Sequence, residues 1–327
     1  MKKLKALGIS LAVISTLGFI GCGGGGGSSS DNLSFPSNAV VAEPTPKNAK
    51  EVRNAIITRT DIDYMPGLNK VNNNASKVNN SSKLNILLFS NILIFELTKD
   101  INMQSYSLNE VVDDIESCSD GGTIRYKGSG DDVNGGSLTI TANNCKEGDI
   151  IINGSVYMTI KNLDSSVNEF KDHKVKFITN FTVEDLSNGD KVTILPNSYG
   201  VINIIKFDSF GNWKEVKFFM SAKKVINNKY KYGFKDCIYY FTKKYNSMKY
   251  YQTQCRIYIN NLTSYVDYDK SYDMSKTPFV VSKNGTLTDG KAYYNMANNG
   301  KVKIVVVESN EAKVYLDDGN GSFKLVK

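Results

Sequence analysis

From Gly122 to the C-terminus the chain repeats one pattern: short runs rich in Val, Ile, Thr, Tyr and Phe, each cut off by Gly, Asn or Asp. Examples are Gly154-Ser155-Val156-Tyr157-Met158-Thr159-Ile160, Val175-Lys176-Phe177-Ile178-Thr179, Val201-Ile202-Asn203-Ile204-Ile205 and the run from Lys301 to Val307. β-branched and aromatic side chains suit a pleated, half-buried surface, and turn signals roughly every 8 to 12 residues leave no room for long helices. Asn188-Gly189, set between Phe181-Thr182-Val183 and Val192-Thr193-Ile194, is a hairpin dipeptide, and Asn153-Gly154 reads the same way. The pattern predicts a mainly β protein, an antiparallel hairpin or meander sheet closed as a sandwich or a curved sheet. Ahead of it lies a short helical N-terminal segment. There Thr45 can cap a helix with Pro46 in its first position, and Ala49, Val52 and Ile56 recur at helical spacing. Met65 to Ser82 is Asn- and Ser-rich and reads as loosely ordered. Leu84 to Ile101 is the most apolar stretch after the leader and reads as a buried helix, with a strand as the alternative.

Residues 1–21 set the address. Lys2, Lys3 and Lys5 precede an apolar run from Ala6 to Ile20, and Gly21 stands before Cys22. This is the layout of an export signal, too short and too interrupted for a membrane span of roughly 20 apolar residues. Phe19-Ile20-Gly21-Cys22 resembles the lipobox of bacterial lipoproteins, although Phe19 and Ile20 depart from its usual Leu and small residue. The resemblance implies cleavage before Cys22, lipidation of Cys22, and a membrane partner held through the N-terminal lipid. Five glycines and Ser28, Ser29 and Ser30 then read as a flexible tether. In lipoproteins of this kind Gly after the cysteine goes with the outer membrane, so a lipid-anchored outer-membrane location in the cell envelope is expected. The divisions are 1–21 signal peptide, 22–43 lipidated cysteine and tether, 44–117 helical segment and 118–327 β domain, divisible near 197–215.

An exported chain meets an oxidising compartment, and the remaining cysteines are even in number: Cys118, Cys145, Cys237 and Cys255. Of three pairings the local ones are favoured, because each pair brackets a hairpin-like segment. In the first, placing Ile124 and Tyr126 on one face with Leu138 and Ile140 needs partner numbers with an even sum, whereas Cys118 and Cys145 sum to an odd one. Either a bulge lies between, or Cys118 sits outside the ladder in the Ser119-Asp120-Gly121-Gly122 turn, and the second is favoured. In the second, Cys237 with Cys255 and Lys244 with Met248 share one even sum, which predicts a loop of Tyr245-Asn246-Ser247.

Segments of this chain also resemble a loose group of uncharacterised bacterial envelope lipoproteins. The likeness lies in the Gly-rich tether, Cys118-Ser119-Asp120-Gly121-Gly122, Asn144-Cys145, Asn153-Gly154-Ser155, Thr277-Pro278-Phe279 and Asp318-Gly319-Asn320-Gly321-Ser322-Phe323. It implies fold and location and carries no activity.

No nucleophile elbow, P-loop or dinucleotide fingerprint is present, and no catalytic, metal or cofactor site is assigned. The lone His173, between Asp172 and Lys174, reads as solvated. Asp113, Asp114, Glu116, Asp120, Asp131 and Asp132 cluster about the first hairpin and keep a carboxylate hydrolase as one alternative. Asp317-Asp318-Gly319-Asn320-Gly321 reads as a turn rather than a calcium loop. A formal charge of +7, or +4 without the leader's three lysines, gives no reason to expect nucleic acid as a partner. Charge is concentrated instead. Lys214 to Arg256 holds ten Lys and one Arg against Glu215 and Asp236, and 11 of the 19 tyrosines fall between Tyr230 and Tyr272. The register above would set Tyr239, Phe241 and Lys243 opposite Lys249 and Tyr251. These five are the candidate surface for an anionic glycan or lipid headgroup. The bland counterpart is a sheet kept soluble by edge lysines. The leading expectation is a non-catalytic structural or interaction module; a lipid or apolar-ligand carrier is the other alternative.

Overall fold

Strand follows strand through most of the chain because the alternation is sustained, and the turns between strands are built by two recurrent devices. The computed structural model describes residues 33–56, 112–131, 134–167, 169–187, 189–209, 213–244, 247–282, 287–308 and 311–327. The first turn device is asparagine in the left-handed region, as in the doublets Asn227-Asn228, Asn260-Asn261 and Asn298-Asn299, all with positive φ. The second is Asp-x-Ser. In Asp164/Ser166, Asp185/Ser187, Asp269/Ser271 and Asp273/Ser275 the carboxylate accepts from both the amide and the hydroxyl of the serine two residues on.

The sheet begins with β2 (Val112–Ser117), β3 (Thr123–Asp131), β4 (Gly135–Glu147) and β5 (Ile150–Asp164), each antiparallel to the one before. It then forks. The first residues of β5 pair with β7 (Phe181–Asp185), and the rest pair with β6 (Glu169–Phe177). One branch continues through β9 (Tyr199–Phe207) and the other through β8 (Asp190–Ile194). Both rejoin on β10 (Trp213–Ile226), which pairs with β9 up to Ser221 and with β8 from Lys224. β11 (Tyr230–Lys244) and β12 (Ser247–Ile259) follow, and β12 forks again, to β14 (Phe279–Ser282) at its start and β13 (Ser264–Tyr268) at its end. β15 (Leu287–Asp289) extends β14, while β16 (Lys291–Asn295), β17 (Lys301–Glu308), β18 (Glu311–Asp317) and β19 (Lys324–Leu325) extend β13. Among the described residues every pairing is antiparallel except that of β1 (Val40–Val41), which lies parallel to β13.

The antiparallel β class and the Asn188-Gly189 hairpin are as the sequence indicates; β7 and β8 flank that dipeptide. Asn153-Gly154 is different. It sits inside β5, at the fork where the strand changes partner, and a Cβ on Gly154 (φ 126°) would fall on the Asn180 carbonyl oxygen. The dipeptide serves a close backbone approach rather than a chain reversal. Two further differences concern the N-terminal side. Val112–Ser117 is a strand within the stretch read as helical, and the section from Leu33 to Glu43, read as tether, is packed on the sheet. Phe35 stacks on Tyr258 at 4.7 Å, Ala42 is buried, and its carbonyl accepts from the Ala297 amide.

The helix α1 (Pro46–Ile56) forms where predicted, with the Asn48 amide donating to the Thr45 hydroxyl at 3.2 Å. Ala49, Val52 and Ala55 are its buried face, and it packs against β12 on one side and β17 and β18 on the other, so the sheet curls around it. Lys224 of β10 is 1% exposed beneath the end of α1. Its ammonium donates to the Ala55 carbonyl at 3.1 Å and lies near the Tyr232 and Phe234 rings. Burial lowers its pKa to about 7. The interior here is filled: the void lined by Ala55, Met220, Tyr239, Tyr250, Gln252 and Tyr294 measures about 20 Å³, room for one water. Cys22, Met65–Ser82 and Leu84–Ile101 lie outside the described residues.

Candidate functional site

Both local cysteine pairs lie at disulfide distance, with Cα atoms 5.4 Å apart for Cys118–Cys145 and 3.9 Å for Cys237–Cys255. The first hairpin keeps one even-sum register from Thr123–Asn143 to Asp131–Gly135, so Ile124, Leu138 and Ile140 share a face, and Cys118 stands past the end of β2 in the turn. Gly122 (φ 77°) is needed there, since a Cβ would overlap the Asn144 carbonyl.

The second hairpin slips, and this corrects the expected register. Ile238 pairs with Gln254, in step with the bridge, but Tyr239 pairs with Gln252, Phe241 with Tyr250, Lys243 with Met248 and Lys244 with Ser247. Two opposed bulges flank the bridge. β11 carries an extra residue between Lys235 and Ile238, and β12 an extra one, Thr253, between Gln252 and Gln254. Asp236 takes the first bulge with φ 52°. Its amide donates to the Ser221 hydroxyl at 2.9 Å, where the β10–β11 ladder is interrupted as well.

A one-residue slip exchanges faces, so the five candidate residues do not form one surface. Tyr239 (8% exposed) and Phe241 (1%) are core, packed with Phe218 and Tyr250. Burial raises the pKa of the Tyr239 and Tyr250 hydroxyls above the ordinary phenol value. Lys243 is half-buried, with its ammonium 5.1 Å from the Trp213 ring centre. Lys249 and Tyr251 do lie outward, with Tyr240 in place of the other three. Tyr240 stacks on Tyr251 at 5.3 Å and 13°, cross-strand from Lys217, with Lys249 opposite Thr242 on the same face. Partial burial, with Tyr240 adjacent, raises the Tyr251 pKa.

This outer strip passes Ile238 and Gln254 and reaches an open cleft of about 680 Å³ beside the bridge. Its charged lining is balanced: Lys235, Arg256 and Lys270 against Asp236, Asp267 and Asp269. Arg256 forks onto Asp267 at 2.7 and 2.8 Å, a hydrogen-bonded pair that raises the guanidinium pKa, and its guanidinium lies 3.8 Å from the Tyr265 ring centre. Burial works to raise the Asp269 carboxyl, but the Lys301 ammonium at 2.6 Å and Ser271 outweigh it and hold it low. With Arg256 paired to Asp267 and Lys301 to Asp269, the cleft presents hydrogen-bonding groups that can orient hydroxyls and amides of a ligand. The cleft was not visible in the sequence, because its residues come from β11, β12, β13, the Asp269–Ser271 turn and β16 and meet only through pairing.

The acids near the first hairpin line neither space. The Arg125 guanidinium at 2.7 and 2.8 Å holds Asp113 low, and the Gly148 amide and Ser119 hydroxyl hold Asp120 low. Burial, and after it the neighbouring Asp114, raises Glu116. Asp132 and the side chain of Asp131 lie outside the described residues. His173 is half-buried rather than solvated. Desolvation lowers its pKa to about 4, against a 2.7 Å hydrogen bond between Nε2 and the Phe170 carbonyl. Asp317 accepts from the Gly319 and Gly321 amides, which is turn chemistry. Comparison with protein-family models, with curated proteins and with solved structures gives no match for this chain.

Proposed function

We propose that this chain is a non-catalytic envelope lipoprotein, anchored through lipidated Cys22 at the outer membrane, whose β region is an interaction module for envelope glycan or lipid headgroups. The observation that carries the reading is the continuity of the outer face: a stacked Tyr240–Tyr251 shelf with Lys217 and Lys249, leading into a charge-balanced cleft. Aromatic faces suit the apolar side of a sugar ring, lysines suit its anionic substituents, and the paired ions of the cleft suit hydroxyl and amide groups. A surface role also fits the filled void under α1, which has no space for an apolar ligand among the described residues.

The test uses immobilised lipopolysaccharide and peptidoglycan. Replacing Lys217, Tyr240, Lys249 and Tyr251 together with Ala is expected to cut retention at least tenfold while the unfolding midpoint stays within the wild-type range. Full retention by that variant defeats the outer-face reading. For the anchor, Cys22→Ser is expected to move the chain from the membrane fraction to the soluble fraction. An unchanged membrane fraction defeats lipidation.

A further inference from the structure

The chain carries the tripeptide Asn-x-Ser/Thr at several places, four of them with the asparagine among the described residues and both flanking positions described: Asn153-Gly154-Ser155, Asn180-Phe181-Thr182, Asn261-Leu262-Thr263 and Asn320-Gly321-Ser322. In an exported protein this tripeptide is an acceptor for N-linked sugar, provided that it lies on the surface and the asparagine amide can be reached. Geometry separates the four. Asn153 is half-buried within β5 and its Oδ1 accepts from the Asn144 amide. Asn180 is followed by the buried Phe181, and the Thr182 hydroxyl is engaged by Thr193 in the β7–β8 ladder. Asn261 has its Oδ1 on the Lys231 amide and the buried Leu262 behind it.

Asn320 stands apart. Asn320, Gly321 and Ser322 are all exposed in the connection from β18 to β19, and the space around Gly321 is open. The Ser322 amide donates to Asn320 Oδ1 at 2.9 Å, an Asx turn closed within the acceptor tripeptide itself. The bond is taken by Oδ1 and not by Nδ2, on a residue that is itself exposed, and it draws charge from the Nδ2–H bonds. Asp317, which accepts from the Gly319 and Gly321 amides, fixes the loop from behind without using either residue of the acceptor pair.

We infer that Asn320 is an N-glycosylation acceptor, taking an oligosaccharide from a polyprenyl-diphosphate-linked donor. In the transfer the bond between sugar C1 and the diphosphate oxygen breaks, a C1–Nδ2 bond forms, Nδ2 loses one proton to a base of the transferase, and polyprenyl diphosphate leaves. The inference rests on the export reading above, since that donor is met outside the cytoplasm.

The experiment incubates the purified, folded full chain with an N-oligosaccharyltransferase and its lipid-linked oligosaccharide, beside a control acceptor peptide, and reads tryptic masses. The peptide from Val314 to Lys324 is expected to gain one oligosaccharide mass, lost in Asn320→Gln and in Ser322→Ala and kept in Asn261→Gln. An unmodified Val314–Lys324 peptide while the control is glycosylated, or sugar on Asn180 or Asn261 with Asn320 bare, overturns it. Expression in a host carrying the same transferase keeps the two readings apart. Sugar on Asn320 in vitro but not in those cells counts against export and leaves the acceptor standing.

Discussion

The two bridged hairpins solve the same problem in opposite ways. In the β3–β4 hairpin the ladder runs unbroken, and the cysteines meet because Cys118 steps out of it into a glycine turn. In the β11–β12 hairpin both cysteines stay within the strands, and the ladder itself gives way, with a bulge on each strand flanking the bridge. The first bridge therefore ties the β2–β3 turn to β4; the second sits at a dislocation in the middle of the sheet, between the core face of Phe241 and the cleft of Arg256. Where a bridge lies relative to the ladder matters more than the length of chain it closes. Sequence separations of 27 and 18 residues give the first bridge an entropic advantage of only about 0.4 kcal/mol.

The sharpest way to break this comparison is at Phe241. As a core residue its change to Ala should cost about 4 kcal/mol in urea unfolding, whereas Tyr240→Ala, one residue along and outward, should cost under about 1. Equal losses would mean that Phe241 is no more a core residue than Tyr240. Next come the bridges. Replacing Cys237 and Cys255 with Ala is expected to cost about 3 kcal/mol and shift the global transition, while the Cys118 and Cys145 pair should lose less, through local opening of the β2–β3 turn measured by hydrogen exchange. A larger global loss at the first pair would reverse the argument.

Titration separates the regions again. The Lys224 pKa is about 7 in the fold against 10.5 unfolded, so the fold prefers the neutral amine. Its destabilising effect is full below about pH 7 and fades as pH rises toward 10.5. Stability should accordingly rise by about 2 kcal/mol between pH 7 and 9. Lys224→Met should remove that slope; a slope that survives places its origin elsewhere. In the β6 region His173 is held near 4, so neutral imidazole is favoured and stability should fall as pH drops from about 6.5 to 4. The smallest effect belongs to the surface pair Arg125–Asp113, where Arg125→Ala should leave the unfolding midpoint unmoved.

What was legible in the sequence follows from range. Alternation around Ile124 and Tyr126, the capping of α1 by Thr45, and the Asn and Asp-x-Ser turns are decided within a few residues, and all were open to reading. The slip at Tyr239 was not, because it depends on an extra residue in β12, Thr253, paired with an opposed bulge at Asp236 whose left-handed backbone is supported by the Ser221 hydroxyl on another strand. The pairings of β6 with β9, β8 with β10 and β12 with β14 join strands that are not neighbours in sequence, and no local pattern announces them. Two of the five candidate residues shared this fate: Lys249 and Tyr251 lie outward, while Tyr239 and Phe241 had the composition of a binding face and the position of a core.

The packing of Phe35 and β1 against Tyr258 and β13 sets a working radius for the whole molecule. Counting from Leu33, the first described residue of this packed section, only eleven residue steps separate it from Cys22, and no polypeptide of that length spans more than about 40 Å. Were Cys22 lipidated as proposed, this reach would confine the outer face of β10–β12 to a layer close above the bilayer, and a ligand of that face would have to come to the membrane.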